Sequence, residues 1–198
     1  MAAKETKNLI AEAKNHLVEA IRGVGDITGA VADAVANTVV HTLKGTRAVG
    51  AELLALVVGT VTGAVQGVAE VGGEVGSAAR SIMVGTLQGT QQVGKASMET
   101  VTVTAATLVK SASEVGGDVA ETAKGAVEGA IASARDIGLS AEDAASAAAS
   151  GAIQAAGEIG TTAVEEVQNV LTKSISGVKV VVKEPFRSGK DKEERRGV

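Results

Sequence analysis

Apolar residues recur along this chain with a step of eleven. One column reads Ile27, Thr38, Val49, Thr60, Val71, Ile82, Val93, Thr104, Val115, Ala126, Ile137, Ala148, Ile159 and Val170, with no charge in it. A second contains Val24, Val35, Val57, Val68 and Val101, and a third runs from Ile21 through Leu43, Leu54, Val65 and Leu87 with only Glu142 intruding. Eleven residues in three turns advance about 98° each, so five apolar columns lie side by side across an arc of roughly 130°. Opposite them stand polar columns containing Arg22, Asp33, Lys44, Glu99, Lys110 and Glu121, and Asp26, Asn37, Glu70, Glu114 and Glu158. Period-two alternation, the mark of a strand, appears only around Val101-Thr102-Val103 and Val180-Val181-Val182. The pattern predicts helix throughout.

A longer step is superimposed on the first. An apolar residue followed by Gly occurs at Val49-Gly50, Val71-Gly72, Val93-Gly94, Val115-Gly116, Ile137-Gly138 and Ile159-Gly160, every 22 residues. The column holding these glycines alternates large and small: Leu17, Thr28, Val39, Gly50, Val61, Gly72, Met83, Gly94. A 44-residue echo pairs Val71-Gly72-Gly73-Glu74-Val75 with Val115-Gly116-Gly117-Asp118-Val119. The frame holds from Ala11 to Ile175, and no proline occurs before Pro185. The spacing therefore predicts one uninterrupted helix over 11–175, about 250 Å long at 1.5 Å per residue. A polar lead, 1–10, precedes it and a charged tail, 176–198, follows it. A hinge at Gly72-Gly73 or Gly116-Gly117, folding the helix into an antiparallel hairpin, is the alternative; the unshifted frame through both sites favours the straight helix.

Gly, Val and Thr lower intrinsic helix stability, so something must cover the stripe. Like copies are the expected cover. The expected fold is all-α: a single very long helix in a homo-oligomeric coiled coil of about four parallel strands, right-handed because 11/3 exceeds the relaxed helical period. Ile27, Val49, Val71, Val93, Val115, Ile137 and Ile159 are then the oligomer core. Gly50, Gly72, Gly94, Gly116, Gly138 and Gly160 are the points of close helix contact.

Composition narrows the chemistry. Among 198 residues there are 25 Gly but one Phe and no Trp, Tyr or Cys. Disulfides, thiolate metal sites and thiol nucleophiles are thereby excluded, and the apolar half of the chain is mostly Ala and Val, unlike an ordinary enzyme core. Residues 1–175 carry 12 Lys/Arg against 19 Asp/Glu, whereas 176–198 carry 7 against 4. Charge is sparsest over 34–69, and Leu53–Ala69 has none, the most membrane-like stretch. His16 and His41 are not at metal-ligand spacing, the acids of 114–166 read as a solvated face, and no GxxxxGK[ST] cradle is present. No catalytic, cofactor-binding or metal residues are expected, and no nucleic-acid or small-molecule partner. The N-terminus lacks signal-peptide character, so a cytoplasmic or membrane-associated protein is expected.

The Val/Ile-Gly frame over about Ala11 to Ile175 resembles that of bacterial hendecad coiled-coil proteins. That resemblance implies a homo-oligomeric rod, in some cases crossing membranes, with no catalytic residues to transfer. The segment from Ala120 to Ala130 is also similar to synuclein and late-embryogenesis-abundant repeats, whose 11-residue helices lie on lipid or stay disordered until dried. Two functions follow as expectations. The first is a non-enzymatic structural protein that self-assembles into a rod or fibre, with its low-charge middle in or at a membrane. The second is a peripheral coat in which single amphipathic helices lie on a lipid membrane, droplet or polymer granule.

Overall fold

A computed structural model describes residues 2–22, 27–44, 50–172, 175–178 and 180. The described chain is all-helical apart from an isolated bridge between Ile175 and Val178, but the helix is not continuous. Eight helices follow in order: α1 (Ala2–Arg22), α2 (Ile27–Leu43), α3 (Ala51–Glu70), α4 (Val75–Gln92), α5 (Met98–Glu114), α6 (Val119–Ser133), α7 (Ala141–Ile159) and α8 (Thr161–Leu171). The expected rod is therefore wrong, and with it the coiled-coil fibre; residues 2–10 of the polar lead are likewise part of α1. Of the tail, only 176–178 and 180 fall within the described residues.

The helices break at the repeating glycines. Gly72, Gly94, Gly116 and Gly138 have φ of 73°, 67°, 74° and 74°. At each site the amide after the glycine reaches back to the carbonyl five residues earlier: Gly73 to Val68 at 2.9 Å, Lys95 to Thr90 at 2.8 Å, Gly117 to Ala112 at 2.8 Å and Leu139 to Ala134 at 2.9 Å. This is a left-handed helix stop, in which glycine avoids the Cβ penalty that other residues incur. Helix restarts are capped in turn. The side chains of Ser97, Asp118 and Ser140 accept from the amides of Thr100, Glu121 and Asp143.

Frame continuity failed as an argument for a straight helix because the turn fits the frame. From one glycine to the next is 22 residues, twice eleven, so a helix plus its turn returns the stripe to the same phase. Each eleven-residue column then serves two places alternately. Thr60, Ile82, Thr104, Ala126 and Ala148 are its mid-helix members and are buried, whereas Val71, Val93, Val115 and Ile137 are its turn members and are half-buried. The large–small column divides in the same way, with Val61, Met83, Ala105 and Val127 fully buried and the glycines in the turns.

Each helix packs only against its neighbours one and two places along the chain, among the described residues. Two rows result: α1, α3, α5, α7 and α2, α4, α6, α8. Within a row the helices are parallel, since Leu9, Ala13 and Leu17 of α1 meet Gly59, Gly63 and Gly67 of α3 in ascending order. Short connections bring the end of each helix to the start of the next, so successive helices run in opposite directions and the rows face one another. One continuous core of Val, Leu, Ile, Met and many Ala fills the space between them. The stripe is covered by the chain's own helices.

Candidate functional site

The residues expected to form the oligomer core lie at the helix ends. Val71, Val93, Val115 and Ile137 rest half-buried against the intramolecular core, and Ile159 is 38% exposed. Val49 and the side chain of Ile27 lie outside the described residues. Within the single chain, the glycines expected at contacts between copies approach no other helix: a Cβ at Gly50, Gly72, Gly94, Gly116, Gly138 or Gly160 would meet nothing within 4 Å. Gly72, Gly94, Gly116 and Gly138 stop helices, and Gly50 and Gly160 stand at the starts of α3 and α8.

Other glycines bring the helices together. Gly59, Gly63 and Gly67 on α3 face α1; Gly85 and Gly89 on α4 face α2; Gly125 and Gly129 on α6 face α4; Gly151 on α7 faces α5. At Gly63, Gly85 and Gly151 a Cβ would overlap the carbonyl oxygens of Ile10, Ala32 and Thr102 respectively. Aligned at the 22-residue step, these positions form a column of small triplets: Gly59/Gly63/Gly67, Ser81/Gly85/Gly89, Gly125/Gly129/Ser133 and Ala147/Gly151/Ala155. Spacing by four places each triplet on one side of its helix, turned toward the preceding helix of the same row. The 22-residue alignment that revealed the turn glycines also contains this column.

Two departures from the column locate special surfaces. In α1 and α2, which have no preceding neighbour in their rows, the equivalent positions hold Asn15 and Glu19, and Asn37 and His41, all exposed. These polar side chains face solvent at the α1–α2 end of the described array. His16 and His41 line one groove between α1 and α2 together with Glu19 and Asn37. In α5 the triplet is Val103, Thr107 and Ser111, with no glycine. The α3–α5 seam is joined instead by a Ser111–Thr62 hydroxyl contact of 3.3 Å, and an open groove of about 390 Å³ runs along it to Gln154 and Glu158 of α7.

Nothing in these grooves assembles reactive groups. No three His, Asp or Glu side chains come together to hold a metal ion among the described residues. Asp118 and Glu121 share a groove with Glu74 at the turns before α6 and α4, but Asp118 is engaged as a helix cap. Lys110 reaches Glu158 at 3.3 Å across the outer face of the α5–α7 pair. Lys14 of α1 forms an ion pair with Glu70 of α3, 2.8 Å apart. The Lys14 ammonium, hydrogen-bonded to it, holds the Glu70 carboxyl below the usual carboxylate range.

The most apolar long helix is α3. α3 alone among the described helices is long and apolar enough to cross a membrane, and half of its apolar window is buried inside the protein. On its open side Leu54, Ala55, Val58 and Thr62 are exposed or half-buried, with no charge among them. No protein-family profile matches the chain, and no curated protein matches it either.

Proposed function

We propose that this protein is a non-enzymatic amphipathic-helix protein of lipid surfaces, which stores its apolar stripe in a closed two-row array and opens to lay that stripe on lipid. The observation that carries this reading is the unbroken eleven-residue frame. A closed array needs each helix to be amphipathic, but it does not need successive helices, running in opposite directions, to share one frame across their turns. A chain that straightens does need it. Unwound turns would bring Val71, Val93, Val115 and Ile137 into line with Ile82, Thr104 and Ala126 on a single stripe. The turns suit this conversion, because glycine accepts the right-handed helical conformation as well as the left-handed one, whereas proline would forbid continuation.

The acidic balance of residues 1–175 favours uncharged or zwitterionic lipid over anionic lipid. A distance measurement tests the opening. Ser77 on α4 and Lys124 on α6 are exposed residues on adjacent parallel helices. In a straight helix the step from residue 77 to residue 124 would span about 70 Å. Spin labels on Ser77→Cys/Lys124→Cys should move from close neighbours to that separation when phosphatidylcholine vesicles are added. Binding with the short distance retained, or no binding at all, would overturn the reading.

A further inference from the structure

We propose that α3 is a latent bilayer-entering helix and that α1 is the strap that masks it; this rests on the lipid-surface reading above. The charge-free run Leu53–Ala69 covers about 25 Å as helix, close to the thickness of a hydrocarbon core of about 30 Å. Its Leu53, Val57, Val61, Val65 and Val68 are buried in the core between the rows, while Leu54, Ala55 and Val58 lie partly open on its outer side with no charge among them. The side carrying Gly59, Gly63 and Gly67 is shut by α1, with Leu9, Ala13 and Leu17 seated on the three glycines.

α1 stands at the end of its row among the described helices. As the first helix of its row it has a same-row neighbour on one side only, and Glu12, Asn15, His16 and Glu19 face solvent. Apart from packing on α3 and α2, the Lys14–Glu70 pair ties it down at the C-terminal end of α3. Once detached, α1 presents Leu9, Leu17, Val18 and Ile21 beside Lys7, Lys14 and Arg22, the pairing of apolar face and basic flank that lies well in a lipid interface. α3 then exposes a glycine at every fourth position, the spacing by which helices approach closely inside bilayers. In water both faces are better hidden against each other. At a bilayer each gains a separate apolar cover, so lipid shifts the balance from docked to released.

A reversible lock tests the strap. Leu17 Cβ lies 3.3 Å from the position a Cβ would take at Gly67, near disulfide range, and the chain has no other cysteine to compete. Full-length Leu17→Cys/Gly67→Cys is incubated, oxidised and then reduced, with phosphatidylcholine vesicles carrying a photoactivatable diazirine in the acyl chain. Cross-links are mapped by mass spectrometry. The expected result is acyl-chain cross-linking within Leu53–Ala69 for the reduced protein and its loss for the oxidised one. Charge reversal gives a second measurement that keeps the core intact. Lys14→Glu should raise α3 cross-linking by about two- to fivefold, and Lys14→Glu/Glu70→Lys should bring it back. Cross-links that avoid α3, or that ignore both the lock and the charge swap, overturn the strap. If the Ser77–Lys124 separation still widens on vesicles in that case, the lipid-surface reading stands without it; absence of vesicle binding sinks both.

Discussion

Gly63 of α3 lies directly against the backbone carbonyl of Ile10 on α1, and a Cβ there would also sit 2.8 Å from that of Ala13. Backbone cannot retreat as a flexible side chain can. Gly63→Ala should therefore lose stability by about 1–2 kcal/mol, the overpacking cost exceeding what alanine returns in helix propensity. Gly157 is the matched control: it is in α7, exposed, with nothing within 4 Å of a Cβ and no left-handed φ. Gly157→Ala should gain about 0.5–1 kcal/mol. Urea titrations followed by far-ultraviolet circular dichroism read both signs; a gain at Gly63 would deny the close α1–α3 approach.

The helical class, the apolar stripe and the glycine step were all legible in the sequence. The break was not, because periodicity reports the phase of a stripe and is blind to a turn whose length restores that phase. A different signal marked the breaks. Gly116-Gly117-Asp118 and Gly138-Leu139-Ser140 each set a left-handed stop two residues ahead of a helix cap, a stop-and-start signature that a continuous helix has no use for. The contact glycines were hidden for another reason. Gly59, Gly63 and Gly67 follow the fourfold spacing of one helix side, and their meaning appears only when the preceding helix of the row is beside them.

If the restarts are independent helix origins, their caps carry measurable stability. Asp118 Oδ1 accepts from the Glu121 amide at 2.8 Å, and Ser140 Oγ from the Asp143 amide at 3.0 Å. Asp118→Ala and Ser140→Ala should each cost about 1 kcal/mol in the closed array. In a continuous helix these positions would be interior, where alanine is preferred, and the same changes would stabilise. The sign of the shift in urea midpoint therefore discriminates the two architectures without any structure determination.

Thr104 is fully buried on α5, and its hydroxyl has no hydrogen-bond partner. Its counterparts in the same column differ: Thr38 and Thr60 donate to the carbonyls of Ala34 and Leu56, one turn earlier. An unpaired buried hydroxyl costs free energy that a methyl group of the same shape does not. Thr104→Val should stabilise the protein by about 1 kcal/mol, whereas Thr60→Val, which removes a satisfied donor, should change little. Thermal melts of the two variants check the contrast, and equal responses would mean that Thr104 has a partner.

The Lys14–Glu70 pair makes docking of α1 depend on pH in a predictable direction. Lys14, with Arg22 further along α1, lowers the Glu70 pKa in the folded protein, so the folded state binds fewer protons at this site than the unfolded chain. The contribution is complete above the ordinary carboxylate range and is lost as pH falls through the lowered folded value. Other carboxylates protonate over the same interval, so the useful quantity is a difference between variants. Lys14→Met removes the charged partner and keeps an unbranched apolar stem. Its urea midpoint should lie below that of the parent at neutral pH, and the gap should close in strong acid. Salt at neutral pH should narrow the gap as well, because both side chains are partly exposed. A gap of constant size at every pH would assign the effect of Lys14 to its packing and leave Glu70 without a part in holding α1.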